Sequence, residues 1–105
     1  MKDLTLGEFR EICNKLNPKE YILHSDNQSF QFSELGLKFD FRFNTIDFCL
    51  SPDIIYLMFG KSCLQINKIK HIYKCKSSVC RNKFNIVCAG FYNDNMETTH
   101  TLLLK

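Results

Sequence analysis

A chain of 105 residues and 12.4 kDa has the size of one domain, so residues 1–105 are read as a single folding unit. With 45% hydrophobic and 24% charged residues it has the balance of a globular protein rather than of a disordered one. The net charge is +3, and no run of ~18 apolar residues occurs anywhere, which excludes a transmembrane helix.

The opening stretch, MKDLTLGEFREICNKLNP, has no apolar core of signal-peptide length, so a cytoplasmic location with reduced thiols is expected. It also carries the clearest helix. Thr5 and Glu8 stand at capping-box spacing, and Leu4 and Phe9 at the positions of a hydrophobic staple. Phe9, Ile12, Cys13 and Leu16 then recur on one face, while Glu11 and Lys15 pair outside. Asn17-Pro18 stops the helix. Cys13 on that stripe is read as a core residue.

Strands follow. YILHS and SFQFS flank a turn at Asp26-Asn27, and LKFDFRF alternates, with Leu37, Phe39, Phe41 and Phe43 on one side. In IDFCL the apolar residues Ile46, Phe48 and Leu50 are out of phase with that run, so a turn or bulge near Asn44-Thr45 must absorb the shift. IIYLMF is a continuous apolar run, expected to be a central strand covered on both faces and ended by Gly60. CLQINKIKHIYK, KFNIVCAGFY and THTLLL complete an α+β domain, one N-terminal helix packed on a curved antiparallel β-sheet.

Charge is concentrated. Between Asp53 and Asp94 there is no acidic residue, whereas Lys61, Lys68, Lys70, Lys74, Lys76, Arg81 and Lys83 all lie there. Lys68, Lys70, Lys74, Lys76, Arg81 and Lys83 are the candidate partner-binding residues, suited to nucleic-acid phosphates or to an acidic protein surface. Tyr73 and Tyr92 are the aromatics available for stacking on bases.

The same segment holds Cys75-x4-Cys80 around the polar loop Lys-Ser-Ser-Val. Such a loop lets two thiolates converge as zinc-knuckle ligands do, and Lys74, Lys76 and Arg81 favour the thiolate form. Zn2+ held by Cys75, Cys80 and Cys88 is the expected site; reduced thiols and a 75–80 disulfide are the alternatives. If the hairpin closes 75 against 80, Cys88 would lie ~26 Å from Cys80 along a straight strand, so it joins only where residues 81–87 loop back. Across the next turn Cys88 lies roughly opposite His100, an alternative pair. Cys13, Cys49, Cys63 and His24 are further donors from elsewhere in the fold.

No GxSxG, HExxH, P-loop or Rossmann fingerprint occurs, and His71 with Cys75 or Cys80 lacks an orienting third group, so no enzymatic activity is expected. The short chain, rich in Lys, Ile, Asn and Phe, with TLGEFREI opening a single helix before a sheet, resembles the small proteins of phages and mobile elements, among them the anti-CRISPR inhibitors of the type II nuclease Cas9. That resemblance implies stoichiometric binding to a host nuclease protein, Cas9 or its guide-RNA complex, blocking DNA loading or cleavage. The charge of +3 departs from the acidity of DNA mimics, so the resemblance implies contact through the basic stripe or an apolar patch. The other reading is a small zinc-containing nucleic-acid-binding or regulatory module that uses the stripe from 61 to 83.

Overall fold

The helix forms where its capping chemistry places it. In the computed structural model, which describes residues 2–25, 39–76, 82–90 and 97–105, α1 runs Leu6–Leu16. The Thr5 hydroxyl accepts the Glu8 N–H at 3.1 Å, and the Glu8 carboxylate accepts the Thr5 N–H at 3.0 Å, completing the capping box. Asn17 closes the other end in the left-handed conformation (φ 43°), a geometry Asn tolerates, and its N–H reaches the Cys13 carbonyl at 2.9 Å. Leu6, Phe9 and Cys13 form the buried stripe, whereas Leu16, in the last turn, is 42% exposed.

The described strands are β1 (Tyr21–Ser25), β2 (Phe39–Phe43), β3 (Thr45–Leu50), β4 (Asp53–Phe59), β5 (Ser62–Ile66), β6 (Ile69–Lys74), β7 (Lys83–Ala89) and β8 (Glu97–Leu104). SFQFS, Leu37 and Lys38 lie outside the described residues. Every pairing is antiparallel, and the strands divide into two sheets: a five-stranded one in the order β2-β1-β8-β7-β6 and a three-stranded meander β3-β4-β5. One helix over mostly antiparallel sheet is the expected α+β class, built from two sheets where one was anticipated.

The phase shift at Asn44 is the physical record of that division. Phe43 closes β2 facing the core from the large sheet, Asn44 bends, and Ile46 and Phe48 face the core from the small one. The Asn44 N–H bonds the Met58 carbonyl at 3.1 Å and ties the crossing to β4. The chain returns to the large sheet at Asn67-Lys68, where Lys68 has φ 54°. A second correction concerns IIYLMF. Ile55 and Leu57 are fully buried, but Ile54, Tyr56 and Met58 on the opposite face are only half-buried, because a three-stranded sheet with one core face leaves the other face to the surface.

Among the described residues an apolar cluster joins the helix to both sheets. Its centre is Phe9, fully buried, whose ring meets Phe84 of β7 edge-on at 5.0 Å and Phe48 of β3 at 6.0 Å. The helix therefore sits on the same face of the large sheet as Phe43, but on β7 rather than on β2, and Phe41 is left 48% exposed. Truncating Phe9 to Ala leaves a cavity at that junction and is expected to cost about 3–5 kcal/mol in urea unfolding. Leu16→Ala, on the exposed last turn, is expected to cost less than about 1 kcal/mol. Equal, small losses at both positions would show that the sheets cohere without the ring.

Candidate functional site

β6 is the edge of the large sheet, and its irregularity shapes the site. The register slips between Ile69 and His71, so Lys70 is the extra residue of a bulge. Ile69 and Ile72, three apart, can then both turn inward, while His71 and Tyr73 turn outward opposite Val87 and Asn85. On that outer face the His71 and Tyr73 rings stack, with centroids 5.5 Å apart and planes at 18°.

The N-terminal segment is laid against the free side of β6. The Leu4 N–H bonds the Ile72 carbonyl at 2.8 Å, and the Ile72 N–H bonds Asp3 Oδ1 at 3.2 Å. Asp3 Oδ2 lies 2.6 Å from His71 Nδ1, both side chains being partly exposed. The hydrogen bond from His71, reinforced by that from Ile72, holds the Asp3 carboxyl below its ordinary range. Beside this pair opens a cleft of about 420 Å³ between the start of α1, the start of β6 and Leu50 and Asp53 of the β3–β4 connection. Among the described residues the one hydroxyl lining it, that of Thr5, is engaged in capping, while Asp3 orients the His71 imidazole.

The basic stripe divides in space. Lys61 lies on the β4–β5 turn of the small sheet. Lys68, Lys70, Lys74 and Lys76 are exposed along and beyond the edge strand β6, and Lys83 is half-buried at the start of β7. Lys70 is already paired, its Nζ 3.1 Å from Glu97 Oε1 across β7. Arg81 and Tyr92 lie outside the described residues.

The thiols divide as well. The β6–β7 hairpin does not close 75 against 80: the Cys75 N–H bonds the Lys83 carbonyl at 2.8 Å, and Lys74 pairs with Phe84. Residues 83–89 are extended, so Cys88 lies ~17 Å along the strand from the position beside Cys75, five residues at ~3.3 Å each. Cys88 points inward, 4% exposed, and burial pushes its thiol up to about 11; Cys13 is pushed up to about 12 for the same reason. Opposite Cys88 stands Thr98, and His100 faces Ile86 instead, with burial lowering its pKa. The structure therefore separates Cys88 from Cys75, and Cys80 lies outside the described residues. Among the described residues no three His, Cys, Asp or Glu side chains are grouped as an ion would require.

Asp3 and Glu97 are the contributors that sequence reading missed. Each acts on a β6 residue from 68 and 27 positions away, and nothing local in the sequence signals either contact. No described helix is long and apolar enough to cross a membrane. No protein-family model, curated protein or solved structure matches the chain.

The Asp3 latch has a definite pH dependence. A carboxyl with a lowered folded-state pKa stabilises fully above its ordinary value of 3.8 and loses that contribution as pH falls through the lowered value. Asp3→Asn is therefore expected to lower the urea midpoint at pH 7, and the difference from wild type is expected to shrink as the pH is taken down below 3.8. A difference that does not shrink with falling pH would assign the effect to something other than this carboxylate.

Proposed function

We propose that the chain acts by binding rather than by catalysis, as a stoichiometric inhibitor of a bacterial defence nuclease, Cas9 or its guide-RNA complex, of the anti-CRISPR kind and not a DNA mimic. The observation that carries this reading is the composition of one edge: exposed Lys74 and Lys76, the stacked His71 and Tyr73, and the cleft beside Asp3 lie together along β6. A rigid strand carrying cations and half-exposed rings offers a protein or ribonucleoprotein surface both charge complementarity and aromatic anchors. Lys70 contributes less, because Glu97 already offsets it.

The test uses purified type II nuclease with its guide RNA. The chain at equimolar ratio is expected to co-elute with the complex and to suppress target cleavage. Lys74→Glu with Lys76→Glu is expected to weaken binding about tenfold or more, equivalent to at least ~1.4 kcal/mol, with the melting temperature unchanged. Absence of both co-elution and inhibition sinks the nuclease reading, and unchanged affinity in the double variant moves the contact off this edge.

The alternative, a zinc-containing nucleic-acid-binding module, is favoured by one observation: the Cys75 backbone ends the β6–β7 ladder between exposed Lys74 and Lys76, beside the stacked rings. Zinc there would take Cys75 and Cys80 as ligands, with Cys88 left in the core. Elemental analysis is expected to find about one zinc per chain, lost in Cys75→Ser with Cys80→Ser and retained in Cys88→Ser. Metal-free protein purified without chelator removes the zinc, and DNA or RNA affinity that does not fall with salt removes the phosphate contact.

A further inference from the structure

We infer that β5 is an open docking edge whose occupant is the β5 strand of a second copy of this chain, added antiparallel about a twofold axis to give a continuous six-stranded sheet. The two sheets have four edges, and an edge strand with unpaired N–H and C=O groups templates the addition of another strand unless it is blocked. Three of them are blocked. On β6 the Ile72 carbonyl and N–H are taken by Leu4 and Asp3, and a bulge and two lysines interrupt the rest. On β3 the Phe48 N–H donates to Asp47 Oδ1 at 2.8 Å, and the helix packs against the strand. β2 carries exposed Arg42, and its exit is tied to Met58.

β5 has none of these devices. Ser-Cys-Leu-Gln-Ile contains no charge, no proline and no bulge, and its first four residues are exposed. Among the described residues nothing pairs with its outer side. Gly60, with φ 58°, and Lys61 make a two-residue connection closing on the Phe59–Ser62 pair, the arrangement in which glycine supplies the positive φ of the first turn position. Backbone groups of residues 62, 64 and 66 therefore bond β4, and those of Cys63 and Gln65 point outward.

That pattern is self-complementary. With the axis at Leu64, Cys63 of each copy exchanges two backbone hydrogen bonds with Gln65 of the other, and the two Leu64 side chains meet at the closely spaced, non-hydrogen-bonded position. Leu64 is 38% exposed and Phe59, on the same face beside small Ser62, is 59% exposed, so the contact covers apolar surface that the monomer leaves in water. In this register Lys61 faces Asn67 and Lys68 faces Gly60, so no lysine opposes another although each copy carries +3. The inference is independent of the nuclease reading.

A five-residue edge makes a small interface, so the association is weak and sedimentation equilibrium should span ~10 μM to ~1 mM. The mass is expected to rise from 12.4 kDa towards twice that value. Leu64→Lys, which sets two ammonium groups face to face, and Gln65→Pro, which removes an outward N–H without touching the β4 ladder, are each expected to hold the mass at 12.4 kDa with an unchanged melting temperature. As a check on register, Leu64→Cys in a Cys63→Ser background should form a covalent dimer on mild oxidation. Wild-type protein that stays monomeric throughout, or a dimer that survives both Leu64→Lys and Gln65→Pro, overturns the inference.

Discussion

One aromatic ring sets the relation of the three layers. Phe9 belongs to the helix, Phe84 to the large sheet and Phe48 to the small one, and the two edge-to-face contacts of Phe9 are what bring side chains from all three layers within van der Waals reach. Edge-to-face geometry is directional, so the ring fixes orientation as well as proximity. The consequences run outward from there. With the helix start held at this junction, the capping box places Thr5, and the residues before it, Leu4 and Asp3, arrive beside β6. The latch on Ile72, the orientation of His71 and the cleft at the helix start are thus downstream of a packing choice made in the core.

The parts of this fold legible in the sequence are the ones with local causes. Thr5 and Glu8 are three residues apart, and the box they predict forms. The broken alternation between Phe43 and Ile46 announced a discontinuity, because side-chain period in a strand is fixed at two and a phase slip must be absorbed by the backbone. Its meaning, a change of sheet, depends on which strands pair at a distance, and that information is not in the period. IIYLMF shows the limit from the other side. A run apolar at every position reads as buried on both faces, but whether a second layer exists to cover Ile54, Tyr56 and Met58 is decided by the rest of the chain.

The site was less legible for a related reason. Cysteine spacing suggested convergence, but spacing translates into distance only through register, and the hairpin pairs Cys75 with Lys83 instead of with Cys80. The straight β7 then carries Cys88 to the opposite end and into the core, where a thiol behaves as a small apolar group and burial disfavours its ionised form. Of the thiols considered as ligands, Cys88 and Cys13 are best understood as packing atoms. Cys63 lies exposed on the edge strand β5 and Cys75 at the end of a ladder, two different environments that the sequence presents as equivalent letters.

Charge counting needs the same correction. Seven cations without an intervening acid look like a continuous positive field along the sequence from Asp53 to Asp94. In space the field is patchier, because acidic residues from outside the segment are brought to it. Glu97 meets Lys70 and Asp3 meets His71, while Lys61 departs with the small sheet. Exposed pairs of this kind are individually weak, but the Glu97 carboxylate, 3.1 Å from Lys70 Nζ, cuts that cation's contribution to the potential felt by an approaching partner. Among the described residues, the lysines exposed in and just beyond the last turn of the ladder, Lys74 and Lys76, keep the exposure that a binding surface requires. The electrostatic surface of this domain is therefore a property of its topology: two sheet changes and the Lys70–Glu97 pair decide which of these charges act together.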